Sequence, residues 1–300
     1  MNSDQIKTLA AWLCLSGCAL NSVAAEKARV EESVGREAHP EVSVLGHLDT
    51  SRIRESSGVV LSRTFPEVFW THNDGGGRNR QQLFAITRQG KTLAEFSVQG
   101  VRLRDWEDIA IDDQRHLFVG DIGNNESKKT QLAVYQIDEP DPKRSGPVVI
   151  IKREWHLLFP KTPFDCESLF VFQGYGYLIS KVFNDKKAEL YRFPLTEQKE
   201  PVVLQFVSRL RIDSPVTGAD LSPDGRFLGL VSKGGASVWK VDGAFDKLSK
   251  MKPFTTPFRH EHIEGCCFVP EGLLATAESG EIFLFTNEAF RREPFSKTTR

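Results

Sequence analysis

The sequence lacks several features that would assign it to a common functional class. Its 39 basic and 40 acidic residues give a net charge of −1, so no basic surface indicates nucleic-acid binding. It contains neither a P-loop nor a Gly-x-Ser-x-Gly nucleophile motif. Its histidines and cysteines do not show the spacing of a zinc site. These absences exclude a P-loop nucleotide-binding protein and a zinc finger.

A long hydrophobic run is also missing. Lys7 precedes an apolar stretch from Leu9 to Leu15, which is far shorter than the roughly 20 residues that span a bilayer. Residues 1–25 therefore indicate a targeting segment, with two possible ends. A lipobox at 15–18 predicts a lipidated Cys18, whereas the small residues at 23–25 predict cleavage after residue 25. We expect an exported, periplasmic protein that contacts a membrane only through a possible lipid on Cys18, which would hold it at the outer membrane.

Cysteine is scarce, and two of the five cysteines fall in the targeting segment. The other three are Cys166, Cys266 and Cys267. Because three is an odd number, a disulfide scaffold is not predicted. A bond between Cys166 and Cys266, a strained bond between Cys266 and Cys267, and three buried free thiols all remain open.

The chain does contain a repeat, and residues 105–125 state it most clearly. An acidic group comes first, then a strand-like apolar run, a turn, a second strand and a polar loop. Similar openings begin near residues 55, 165, 217 and 263. Repeats of about 50 residues with about four short strands are typical of β-propeller blades.

The repeat predicts an all-β, five-bladed propeller over residues 42–290, after a tether at 26–41 and before a polar tail at 291–300. The fifth repeat contains only three strands, and a lone strand at 42–48 precedes the first repeat. We expect that N-terminal strand to complete the last blade, because closure removes an exposed sheet edge. A six-bladed ring is less consistent with the strand count. The predicted protein is a monomer.

Each repeat places a carboxylate at the start of its first strand, and in a propeller the first strand lines the central channel. These residues are Glu55, Glu107, Glu167, Asp220 and Glu264. Two like charges about 6 Å apart repel each other by roughly 3 kcal/mol at an effective dielectric constant near 20. A hard cation with oxygen ligands would remove this conflict, so we predict one axial Ca²⁺ as cofactor.

The loops that follow each second strand predict a polar pocket at the same end of the channel. Its members are Asn73, Asp74, Asp121, Asn124, Lys181, Lys233 and Glu278. The same residue types also make ordinary turns. The two lysines would meet an anionic group of a ligand. His72 and His262 are candidate general bases, although an isolated histidine is more often structural.

The openings ESSGV, DWEDI, DCESL, TGADL and IEGCC resemble those of bacterial periplasmic five-bladed propellers of the SdiA-regulated type. Those proteins are distantly related to NHL-repeat and phytase-like propellers. The resemblance implies a calcium site on the axis, to which Glu55, Glu107, Glu167 and Glu264 correspond by position. The fourth opening departs from the pattern, because Asp220 is shifted.

Two functions follow as hypotheses. The first is a calcium-binding module of the cell envelope that binds a small anionic ligand or an envelope protein. The second is a metal-dependent hydrolase of phosphoesters or lactones, which the resemblance suggests only by analogy.

Overall fold

A computed structural model describes residues 41–75, 81–183, 187–212 and 215–290. The targeting segment, Cys18, nearly all of the tether and the polar tail lie outside these described residues. The regular secondary structure of the described chain is almost entirely β-strand. None of the helices in the described ranges has the length and apolar composition to cross a bilayer.

Twenty-two strands make up the fold. The N-terminal strand and the first blade contain β1 (Val42–His47), β2 (Ser56–Leu61), β3 (Val68–Asn73), β4 (Gln82–Thr87) and β5 (Thr92–Gln99). They are followed by β6 (Trp106–Ile111), β7 (His116–Asp121), β8 (Gln131–Asp138), β9 (Val148–Ile150), β10 (Arg153–Leu158), β11 (Asp165–Phe172), β12 (Tyr175–Lys181) and β13 (Glu189–Pro194). The remaining strands are β14 (Val202–Val203), β15 (Gln205–Arg209), β16 (Val216–Leu221), β17 (Phe227–Ser232), β18 (Gly235–Lys240), β19 (Phe254–Pro257), β20 (Ile263–Val269), β21 (Gly272–Ala277) and β22 (Glu281–Thr286). Short 3₁₀ helices occupy Phe245–Lys250 and Asn287–Phe290.

These strands form five sheets in which nearly all pairs are antiparallel, and the prediction of a five-bladed propeller is confirmed. The innermost strands are β2, β6, β11, β16 and β20, and each contacts the next around the ring, with β20 contacting β2. Strand β1 pairs antiparallel with β22, so the N-terminal strand completes the fifth blade as expected. This pairing closes the ring through hydrogen bonds between the two ends of the domain.

The sequence pattern explains which strands are innermost. Strand β6 is buried along its whole length, since Ile109 and Ile111 pack against the first blade and Ala110 packs against the third. The outer strand β5 instead alternates between buried and exposed residues, as expected for a strand with one wet face. Gly265 lets two inner strands approach closely, because a Cβ there would lie 2.5 Å from the carbonyl oxygen of Ser57.

Five apolar clusters fill the five interfaces between adjacent blades. The tryptophans Trp70, Trp106, Trp155 and Trp239 are all at most 2% exposed and belong to these clusters. They therefore pack blades together. Cys166, Cys266 and Cys267 are buried free thiols.

Two outer segments are divided between neighbouring blades. Within residues 147–158, β9 pairs parallel with β5 of the first blade, while β10 pairs with β8 of the second. Residues 202–210 divide in the same way, because β14 joins β10 and β15 joins β13. In both cases the chain hydrogen-bonds to the preceding blade before it enters its own. Local strand propensity does not distinguish between these partners.

Candidate metal centre

A β-bulge interrupts the first strand of every blade near its start. The register shifts fall between Ser56 and Val59 and at the equivalent places in β6, β11, β16 and β20. Alignment of the five strands on these bulges gives one equivalent position, occupied by Ser57, Glu107, Glu167, Thr217 and Glu264. Bulges re-aim side chains and are common beside functional sites.

This alignment corrects the sequence-based equivalence of the five carboxylates. Glu55 lies two residues before the bulge position of its blade, and Asp220 lies three residues after it. The correction arises because the sequence was aligned on residue charge, whereas the strand register aligns Ser57 and Thr217 with the three glutamates. Whether any of these residues binds calcium stays a prediction.

The carboxylates of Asp74, Asp105 and Glu107 come together at one end of the inner strands. One oxygen from each lies within 4.8 Å of the others. Asp74 follows β3, Asp105 precedes β6, and Glu107 occupies the bulge of β6. We call this end of the fold the acidic mouth and define it by Asp74, Asp105, Glu107, Glu167 and Glu264.

Neighbouring groups hold this cluster in place. The carboxylate of Asp121 accepts hydrogen bonds from the backbone N–H groups of Asp105 at 2.8 Å and Arg104 at 3.1 Å. The ammonium of Lys129 lies 3.2 Å from Asp105 and 3.5 Å from Asp121. A Cβ on Gly123 would lie 2.1 Å from the Oε1 of Glu107, so only glycine leaves room for that carboxylate. The cluster is therefore built by backbone contacts from two strand ends and two loops.

The electrostatics of the cluster favour a bound cation. Burial raises the pKa of Glu107 well above its ordinary value, and the carboxylates of Asp74 and Glu167 raise it further. Burial also raises the pKa of Asp74 to about 6, with added repulsion from Asp105. A positive ion would reverse these shifts by stabilising the ionised carboxylates.

The oxygen positions fit calcium. Calcium binds oxygen ligands at about 2.3–2.6 Å, so two oxygens on the same ion lie no more than about 5 Å apart. The three oxygens meet this condition, and carboxylate oxygen is the donor type that hard cations select. The residues Asp74, Asp105 and Glu107 would hold the ion.

A second group completes the acidic mouth. Glu167 forms an ion pair with Lys181, and the other carboxylate oxygen of Glu167 is buried without a hydrogen-bond partner among the described residues. Burial raises the pKa of Glu167 to about 7 despite the opposing charge of Lys181. Burial and Glu167 raise the pKa of Glu264 to about 8, while Lys181 and Lys233 lower it. Lys181 is thus already paired with a carboxylate.

The remaining predicted pocket residues occupy the same end of the fold but play different parts. The side-chain oxygen of Asn73 accepts hydrogen bonds from the backbone N–H groups of Arg54 and Glu55, which repeats the role of Asp121 in the second blade. Asn124 bonds to the backbone of Lys129 and donates its own backbone N–H to Asp165. These residues shape the loops around the mouth.

The two candidate histidines differ in environment. His72 is fully buried and stacks on Trp106, with ring centroids 4.1 Å apart. Its Nε2 lies 3.2 Å from the backbone N–H of Gly58 and its Nδ1 lies 3.0 Å from the carbonyl of Asn73. Burial lowers the pKa of His72 to about 3, so it is neutral and serves the packing of the blade. His262 is exposed and lies 3.2 Å from Glu278, whose charge also contributes to the raised pKa values of Asp74 and Glu264.

Asp220 lies apart from the acidic cluster. Its carboxylate accepts hydrogen bonds from the backbone N–H groups of Leu221 and Phe268, both at 2.8 Å. It thereby connects the fourth and fifth blades. It also lines a cavity of about 740 Å³ with Arg63 and the ends of neighbouring inner strands.

Sequence reasoning missed the part that Asp105 and Lys129 take in this site. Asp105 belongs to the acidic group that opens the repeat, but the sequence prediction takes only one carboxylate per blade as a ligand. The signal that would have identified Asp105 is its place at the start of the motif, a place that Asp165 has in the third blade. Lys129 carried no signal, because its approach to Asp105 depends on the fold of the loop after β7.

Comparison with known proteins gives little beyond this geometry. The sequence matches no protein-family model. No curated protein matches it in sequence. Among solved structures, the fold is similar to "Kuenenia stuttgartiensis Hydrazine Synthase", with a TM-score of 0.42 and 10% sequence identity over 77% of this chain and 72% of that chain. The resemblance of the blade openings to SdiA-regulated propellers therefore stays an interpretation of the sequence, and what stands is a five-bladed β-propeller with a three-carboxylate cluster at one end of its inner strands.

Proposed function

We propose that this protein is an exported, calcium-binding β-propeller whose acidic mouth binds a ligand through the ion. The observation that carries the proposal is the convergence of Asp74, Asp105 and Glu107, with three oxygens within 4.8 Å of one another. Calcium bound there would neutralise negative charges whose mutual repulsion otherwise destabilises the fold. It would also offer open coordination positions to an anionic group. The targeting segment of the sequence supports export to the periplasm.

Calcium binding is tested by titrating the ion into EDTA-treated protein in a calorimeter. We expect one bound ion per chain and a release of protons on binding, since burial and neighbouring carboxylates raise the pKa of Glu107 and the ion favours its ionised form. Repeating the titration in buffers with different ionisation enthalpies measures that release. Glu107→Gln should lower the affinity at least about a hundredfold, because it removes a charged ligand.

The matched control is Glu261→Gln, which removes the same charge from an exposed glutamate paired with Arg259. It should bind calcium like the unaltered protein. Equal affinities for Glu107→Gln and Glu261→Gln, or no binding by the unaltered protein, would reject the calcium site.

Hydrolysis of phosphoesters or lactones is a second candidate function, and Glu167 is the residue that favours it. A pKa of about 7 suits a general base at neutral pH, and the charge of Glu167 reaches Glu107 strongly enough to raise its pKa. A bound calcium ion would polarise a phosphoryl or carbonyl oxygen.

An ester and lactone panel tests this second function. Hydrolysis should depend on calcium and should fall at least about a hundredfold in Glu167→Gln while calcium affinity changes little. If no substrate is turned over with the calcium site filled, the function is binding alone.

A further inference from the structure

A second concave site lies beside the acidic mouth, on the flank of the second blade. It encloses about 580 Å³. Its basic side chains come from three places, the loop before β6, the loop after β7 and the outer strand β10. We call it the basic pocket and define it by Arg102, Arg104, Lys128, Lys129, Tyr135 and His156.

The two arginines are its least compensated charges. No carboxylate lies within ion-pair distance of Arg102 or Arg104 in the parts of the chain that the structure describes. Leu103 between them is fully buried and donates its backbone N–H to Gln81 at 3.1 Å. The backbone of Arg104 is fixed in turn by its bond to Asp121. This anchoring holds two exposed guanidinium groups at the same pocket, where no carboxylate of the described residues pairs with them.

The other residues of the basic pocket add hydrogen-bond donors, and one of them, Lys129, also contacts the acidic mouth. Lys129 lines the pocket and also contacts Asp105 and Asp121, so it stands between the two sites. Asp121 is the acid in the lining, and its oxygens already accept two backbone N–H groups and face Lys129. Burial raises the pKa of Tyr135 to about 12, so its hydroxyl stays protonated and can donate.

Two basic members have exposed acidic neighbours. Lys128 lies 2.6 Å from Glu126, and both side chains are more than two-thirds exposed. His156 lies 3.7 Å from Glu154, again near the surface. Exposed pairs of this kind contribute little and separate readily, so they do not neutralise the pocket.

We propose that the basic pocket binds a tetrahedral dianion, the phosphoryl group of a soluble small molecule. Donors that converge from separate segments suit three or four oxygens and a double charge. A carboxylate offers two oxygens and one charge, which two arginines alone would satisfy. The sequence assigned anion recognition to Lys181 and Lys233, whereas Lys181 is engaged by Glu167. The basic pocket does not require a metal ion.

The test is a calorimetric titration of inorganic phosphate into the full-length protein in EDTA at low ionic strength. We expect saturable binding that sulfate competes for and acetate does not. The double variant Arg102→Gln/Arg104→Gln should bind phosphate at least about tenfold more weakly, since it loses charge-assisted hydrogen bonds. Arg104→Lys should fall between the two, because it keeps the charge and loses the planar fork.

The control is Arg259→Gln, which removes one positive charge from an exposed arginine outside the pocket lining. Equal phosphate affinity in this control and in the double variant would overturn the proposal, as would the absence of saturable binding by the unaltered protein. Binding of glycerol phosphate supports a soluble source for the phosphoryl group. Co-sedimentation with phosphatidic acid vesicles that requires Arg104 would instead assign the group to a lipid and overturn the soluble source.

This test is separate from the calcium site. Glu107→Gln should bind phosphate normally even if it has lost calcium. If the unaltered protein binds phosphate but no calcium, the proposed function alone is rejected, and if it binds calcium but no phosphate, this inference alone is rejected.

Discussion

Two sets of carboxylates, each buried or partly buried, differ in what they face. Asp108 accepts backbone N–H groups from Ile109 in its own blade and from Leu169 in the next, at 2.8 and 2.7 Å. Asp220 does the same between the fourth and fifth blades. We call Asp108 and Asp220 the inter-blade carboxylates. In the acidic mouth, by contrast, the carboxylates of Asp74, Asp105 and Glu107 face one another.

The difference shows that burial and a raised pKa do not identify a functional acid by themselves. Burial raises the pKa of Asp108 well above its ordinary value, as it does for Glu107. What separates them is the partner. Backbone amides stabilise the inter-blade carboxylates and connect the blades, whereas the carboxylates of the acidic mouth repel one another, which a bound cation would relieve.

Removing an inter-blade carboxylate should give the largest change in stability. Asp108→Ala leaves the buried N–H groups of Ile109 and Leu169 without their acceptor, and it opens a gap between two blades. We expect the free energy of unfolding in urea to fall by about 3 kcal/mol. Calcium affinity of the folded variant should be unchanged.

Glu107→Gln is the matched comparison, because it alters the adjacent buried acid. It should lose calcium without lowering the stability of the metal-free protein. If Asp108→Ala and Glu107→Gln lowered the free energy of unfolding equally, the distinction between the inter-blade carboxylates and the acidic mouth would be wrong.

The pH dependence of stability should be the next largest effect. Carboxyl groups of unfolded chains have pKa values near 4, whereas those of Asp74, Glu167 and Glu264 are about 6, 7 and 8 in the fold. The folded state therefore holds protons that the unfolded state has released. Their stabilising contribution is full below about pH 4 and is lost as pH rises to about 8. We expect a loss of about 2 kcal/mol between pH 5 and 8 in EDTA.

Saturating calcium should remove the share of this loss that belongs to Asp74, because a bound ion favours its ionised form. Asp220, whose pKa burial raises to about 6, adds a loss of its own that calcium should leave in place, because its partners are backbone amides. Urea unfolding at several pH values with and without calcium measures both parts. Stability that rises with pH in EDTA would contradict the raised pKa values.

The sequence predicted the fold well because a blade is a local unit. Alternating strands and turns recur along the chain, and the missing strand of the fifth repeat could be counted against the extra strand at 42–48. Strand partners at the outer edges could not be predicted. The residues of β9 and β14 suit a strand on either of two blades, and only the packed structure selects one.

The site was harder to predict, because side-chain direction depends on the bulges. Three of the five selected carboxylates share the bulge position, while Glu55 and Asp220 were included on charge alone. A bulge adds one residue without changing residue types, so a one-letter pattern does not reveal it. The meeting of Asp74 with Glu107 joins the first blade to the second, and no repeat within one blade encodes that contact.

The smallest effect on calcium affinity should come from replacing Glu55. It distinguishes a carboxylate that binds the ion directly from one that only adds negative charge nearby. Glu55 lies close enough to raise the pKa of Asp74, but it is absent from the three-carboxylate cluster. Glu55→Gln should therefore weaken calcium binding by less than about threefold, through the loss of long-range attraction only. Asp74→Asn removes a ligand oxygen charge and should weaken it at least about tenfold.

Calorimetric titration of both variants at low and high salt separates the two causes. The small effect of Glu55→Gln should disappear at about 1 M salt, where the Debye length is only about 3 Å, whereas that of Asp74→Asn should remain. If Glu55→Gln matched Asp74→Asn at both salt concentrations, Glu55 would coordinate the ion directly. The sequence repeat, which groups Glu55 with the carboxylates of the other blades, would then describe the site better than the strand register does.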